Sequence, residues 1–156
     1  MKYTFNTLEE VKQAIEKWFI TLGFDNKERS EKQYLKIIAE VGEMADALCK
    51  EDLENFKSEA GDVFVTIVGY CLQSEKSIKT SHIAIPVIYL NTDIDYLLKQ
   101  IIEKDFLTAI DCLQDICIHK NTTLLECATI AYNKIQGRLE RGELSVKNGT
   151  VVKSGN

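Results

Sequence analysis

The sequence predicts an all-α protein, and three observations support that fold class. Only one proline, Pro86, occurs in 156 residues, whereas a turn-rich β-fold uses proline and glycine as frequent punctuation. Apolar residues recur at helical spacing over most of the chain. Two acidic signatures, Glu40-Val41-Gly42-Glu43 and Glu59-Ala60-Gly61-Asp62, each set two carboxylates three residues apart. On a helix each pair would share one face.

Thr7-Leu8-Glu9-Glu10 is a capping-box pattern, with Thr7 as N-cap and Glu10 three residues on. Leu8, Val11, Ile15, Trp18 and Phe19 follow at helical spacing until Gly23 ends the helix. Trp18 reads as a core or interface residue, with stacking on a base as the alternative. A second helix starts near Asn26 or Ser30 and runs to about Cys49, with Glu40 and Glu43 along one border of its apolar arc. Lys50 to Lys57 supplies a charged bend, and a third helix continues from about Asp52 to Gln73.

Between Ala60 and Gln73 the only charged side chain is Asp62. Val63, Phe64, Val65, Ile67, Val68, Tyr70, Cys71 and Leu72 cover nearly the whole circumference, and a helix apolar all round is buried on all sides. In a chain this small, that predicts a partner subunit over one face, so the helical bundle is expected to be completed by oligomerisation. Burying Glu59 and Asp62 there without compensation costs several kcal/mol each, and a cation is the simplest counterweight.

Ser74 to Leu90 is read as a loop followed by a short apolar piece, Ile83 to Ile88, around Pro86. Asn91-Thr92-Asp93 is expected to cap a helix reaching about Glu103. Asp105 to His119 gives another, and Asn121 or Thr122 is expected to cap the last, which runs to about Arg141. Gly142 stops it. Alternating residues around Asn148-Gly149 predict a small β-hairpin over Leu144–Val152. The organisation is therefore one helical domain, 1–142, with a tail, 143–156.

Composition narrows the function. A net charge of −5 disfavours a phosphate-tracking nucleic-acid face, which needs a basic excess. No apolar run reaches the roughly 18 residues of a membrane span, and the N-terminal MKYTFNTLEEVKQ lacks the apolar centre of a signal peptide. A cytoplasmic location is the expectation. The five cysteines, Cys49, Cys71, Cys112, Cys117 and Cys127, lie in apolar helical patterns without zinc-ribbon spacing and read as reduced, buried thiols.

A hairpin that lays Glu40, Glu43, Glu59 and Asp62 side by side is a candidate metal site. Glu-x-x-His, the di-iron bundle pattern, is absent, and zinc favours His or Cys. All-carboxylate ligation points to Mg²⁺, with Mn²⁺ as substitute. Phosphate chemistry at such a site needs cations nearby. Lys134 and Arg138 share a face of the last helix with Asn133 adjacent, and Lys36 lies one turn before Glu40.

EVGEMADAL followed one hairpin later by SEAGDVFVTI resembles the MazG-like all-α nucleoside triphosphate pyrophosphohydrolases, whose signature is ExxE followed by ExxD on a helical hairpin. YNKIQGR is similar to the Asn/Lys/Arg segment of that family's closing helix. The resemblance covers about Trp18–Gln73 and Ala131–Arg138. It implies metal-dependent hydrolysis between the α- and β-phosphates, to a nucleoside monophosphate and pyrophosphate. It further implies Mg²⁺ on Glu40, Glu43, Glu59 and Asp62, phosphate on Lys134 and Arg138 with Lys36, and the base near Trp18. Family members form dimers or tetramers. Ala39 departs from the pattern, since many members carry a further glutamate there. Two rival readings use the same residues: a dUTPase/dCTPase-type pyrimidine nucleotide hydrolase, and a non-catalytic helical interaction module whose acids serve solubility.

Overall fold

A computed structural model describes residues 2–78, 80, 94–147 and 150–153. The expectations about Ile83 to Ile88, Pro86 and the Asn91–Asp93 cap lie outside the described residues. Within them the protein is all-α, with six α-helices: α1 Leu8–Thr21, α2 Ser30–Cys49, α3 Leu53–Gln73, α4 Ile94–Ile102, α5 Phe106–His119 and α6 Leu124–Glu140. None is long and apolar enough to cross a membrane. Leu144–Lys147 and Thr150–Lys153 pair as antiparallel strands, Leu144 opposite Lys153.

Short polar side chains set the helix starts. Thr7 accepts from the Glu10 amide at 3.1 Å, and the Glu10 carboxylate reaches back to the Asn6 amide at 2.8 Å. Asp52 caps α3 through the Asn55 amide, and Asp105 caps α5 through the Thr108 amide. The last helix corrects the sequence reading. Its N-cap is Thr123, whose side chain accepts from the Glu126 amide at 3.1 Å. Asn121 instead closes the end of α5 with φ 57°, a left-handed conformation that asparagine tolerates, and Thr122 donates its hydroxyl to the Glu126 carboxylate.

α2 and α3 form a hairpin through a turn at Lys50–Asp52, where Glu51 takes φ 55°. α6 and α1 pack on one side of α3, while α5 packs on α3 and α6 and α4 covers α2. Val63, Phe64, Ile67 and Val68 of α3 are fully buried. The cover that its apolar circumference was expected to need from a partner subunit thus comes from the same chain. The apolar α3 gives no argument for a second subunit. The thiol reading also needs one correction: Cys71, Cys112, Cys117 and Cys127 are buried, whereas Cys49, on the outer face of α2, is exposed.

Two side-chain bridges fix α3 against its neighbours. Gln33 of α2 donates to the Thr66 carbonyl at 3.1 Å. Gln73 donates to the Phe24 carbonyl at 2.7 Å, holding the turn after α1, where Gly23 adopts φ 68°.

Candidate metal and phosphate site

The hairpin brings three of the four expected carboxylates together. Glu40, Glu43 and Glu59 each offer an oxygen within 4.8 Å of the others. Glu40 and Glu43 lie three residues apart on α2, so they share a face. Glu59 stands opposite on α3, at the height the hairpin turn dictates. Glu40 and Glu59 are buried, at 6% and 9% exposure, while Glu43 is open to solvent.

Asp62 behaves differently. Its carboxylate forms an ion pair with Lys134 of α6, and the same ammonium donates to the Ser58 hydroxyl at 2.9 Å. Lys36 makes the matching contact on the other arm, 2.6 Å from Glu40. Each arm of the hairpin therefore carries one carboxylate held by a lysine. Arg138, one turn beyond Lys134, lies near enough for its charge to favour ionised Asp62.

The electrostatics follow from burial. Loss of solvent raises the pKa of Glu40, opposed by the Lys36 contact, and of Asp62, opposed by Lys134. Glu59 is raised for the same first reason, opposed by the charge of Lys134, while the fields of Asp62, Glu43 and Glu40 add to the rise. Lys36 is raised by its bond to Glu40. Among the described residues the Glu59 Oε2 atom is buried with no hydrogen-bond partner. A buried, unpaired carboxylate oxygen is costly, and this one belongs to the three-glutamate cluster. An all-oxygen donor set with an orphaned buried oxygen fits a hard divalent cation.

Two expected site residues are engaged elsewhere. Asn133 accepts from the Tyr3 amide at 2.7 Å and donates to the Tyr3 carbonyl at 2.9 Å and to the Thr129 carbonyl at 2.9 Å. Its amide thus clamps the N-terminal segment onto α6. Trp18 packs edge-on to Phe19 and tilted to Phe24, at ring separations of 5.4 and 6.0 Å. Phe19 in turn lies against Gly69, two turns along α3 from Asp62.

Sequence reasoning passed over two residues of the site. Ser58 lies four residues before Asp62 and so on the same face of α3, a spacing that could have flagged it. Gly61 reads as part of the acidic signature, yet its role is steric. α6 packs so closely there that a Cβ would sit 2.8 Å from the Ala131 Cβ. That approach lets Lys134 reach across to Asp62.

Compared with protein-family models, residues 28–85 match the MazG nucleotide pyrophosphohydrolase domain. The matched stretch contains both acidic signatures and the whole α2–α3 hairpin, so the family resemblance drawn from those signatures holds. It ends before α4, and Lys134 and Arg138 stand outside it. No curated protein and no solved structure matches the chain.

Proposed function

We propose, for a chain whose residues 28–85 match the MazG nucleotide pyrophosphohydrolase domain, that it hydrolyses nucleoside triphosphates to the monophosphate and pyrophosphate with Mg²⁺, Mn²⁺ serving as substitute. The observation that carries this reading is the convergence of Glu40, Glu43 and Glu59 with an orphaned, buried Glu59 oxygen. A solvated acidic face of an interaction module would leave no carboxylate oxygen buried and unpaired.

Glu40 and Glu59, held by packing, would ligate the ion, with Asp62 joining once Lys134 turns away. A bound divalent cation would offset phosphate charge and lower the pKa of a water. Glu43, the exposed member of the cluster, can accept a proton from an attacking water. The water oxygen bonds to phosphorus as the bridging P–O bond breaks, and the pyrophosphate leaves with the displaced oxygen. Lys134 and Arg138 approach from α6, and Lys36 from α2, where positive charge stabilises the charge developing on the phosphates.

The test is a panel of ribo- and deoxynucleoside triphosphates incubated with the protein and Mg²⁺, read by pyrophosphate release. Release abolished by EDTA and by Glu59→Gln is the expected result. Turnover of a single pyrimidine would narrow the substrate to that base. Folded protein, metal present and no pyrophosphate from any nucleotide would sink the reading.

A further inference from the structure

Four carboxylates and two lysines meet at the hairpin. Lys36 is 2.6 Å from Glu40, and its side chain is half exposed, at 54%, over a Glu40 side chain at 7%. Lys134, exposed at 28%, pairs with Asp62 at 14% and is steadied by the Ser58 hydroxyl at 2.9 Å. The two lysines pair with Glu40 and Asp62 and leave Glu43 and Glu59 without an ion pair among the described residues. The charges of Lys134 and Arg138 also act on the site from α6. Both lysines extend from more exposed stems onto more buried acids, so each head can swing outward while its carboxylate stays.

We infer that Lys36 and Lys134 are resident counter-ions of the site, one on each arm, and that a divalent cation binds by displacing them. The inference deepens the triphosphate reading above by assigning the resting state of that same site. An acidic site in a low-dielectric wall repels itself when empty, and the lysines relieve that repulsion. The ion must therefore compete with them, and its apparent affinity falls by the strength of the contacts it breaks. Once displaced, the ammonium groups remain tethered within a side-chain length of the metal, free to meet an anionic ligand.

The experiment measures Mn²⁺ binding to the full chain by calorimetry, with no nucleotide present, so its outcome is separate from whether any triphosphate is hydrolysed. Lys36→Met is expected to tighten Mn²⁺ binding by roughly threefold or more, the factor that corresponds to losing a modest ion pair. Lys36→Arg, which keeps the charge, should stay near the wild-type affinity. Lys134→Met should tighten binding likewise. Should that variant not fold, Ser58→Ala keeps the cation, loosens its seat and should shift affinity in the same direction by less. Unchanged or weaker Mn²⁺ binding in Lys36→Met, with the protein folded, overturns the inference. So does equal tightening in Lys36→Arg, because charge would then not be the cause.

Discussion

A methyl group on Gly61 would stand 2.1 Å from the carbonyl oxygen of Cys127 and 2.7 Å from its carbonyl carbon. No flexible side chain is available to yield, since the obstacle is the α6 backbone. Gly61→Ala therefore forces α3 and α6 apart. Overpacking of this kind costs about 1–3 kcal/mol, more than the ~1 kcal/mol gained from helix propensity. Urea unfolding should show the net loss, and Lys134 should lose its reach to Asp62, lowering pyrophosphate release.

Gly42, in the other acidic signature, gives the opposite expectation. A Cβ there meets nothing within 4 Å, and the residue is exposed. Gly42→Ala should stabilise the protein by about 0.5–1 kcal/mol through helix propensity alone. The same urea titration reads it, and a loss of stability would contradict the open space seen at α2.

Metal-free stability should depend on pH in a direction set by burial. Glu40, Glu59 and Asp62 have folded-state pKa values raised above the ordinary carboxylate range. A raised acid favours folding when protonated. Its contribution is present below its unfolded pKa of ~4 and declines as pH rises through the folded value. Glu9 and Glu126 are lowered, chiefly by bonds from Thr80 and Thr122; their contribution is present above ~4 and lost as pH falls through the lowered values. In EDTA, the melting temperature should fall as pH rises from mildly acidic values toward neutrality. Saturating Mg²⁺ should flatten that decline, because the cation takes the place of the proton.

Thiol reactivity should divide sharply. Burial pushes the Cys71 thiol up to about 12, and the thiolate is the nucleophile. At pH 8, brief alkylation followed by peptide mapping should modify exposed Cys49 and leave Cys71 intact. Comparable rates at the two positions would mean that α3 opens far more readily than its packing implies.

Loss of the orphaned oxygen gives a fifth comparison. Glu59→Gln exchanges a buried, unpaired carboxylate for a neutral amide, so the metal-free protein should be equally stable or slightly more stable. The rise in melting temperature on adding Mg²⁺, which a ligand of the native state produces, should shrink or vanish. A full Mg²⁺ shift in this variant would remove Glu59 from the ligand set.

Much of the site could be read in the chain because its parts are local. Spacing alone brings Glu40 to Glu43, and Asp52 with Glu51 turns the hairpin within a few residues. Contacts between distant segments were not legible. Asp62 and Lys134 lie 72 residues apart, and no pattern in α3 reveals that one of its acids is drawn to α6 rather than to α2. The covering of α3 was misread for the same reason. Its periodicity states that every side is buried, but not by what, and α5 supplies a face only through tertiary packing. Thr123 was within reach: Thr123-Leu124-Leu125-Glu126 repeats the spacing of Thr7 and Glu10, but Asn121 and Thr122 offered earlier caps. Asn133 read as a polar residue beside two cations, whereas the N-terminal segment that occupies it lies 130 residues away.

The cover over α3 carries a consequence for concentration. The carboxylates of the hairpin, the α6 cations and the helices that exclude water behind them are segments of one polypeptide, so bringing them together is a first-order process. Tethered parts meet at an effective concentration set by the chain that joins them, and dilution of the protein leaves that value unchanged. The described residues of the hairpin and of α6 thus converge through the folding of one chain, with no concentration dependence in that step.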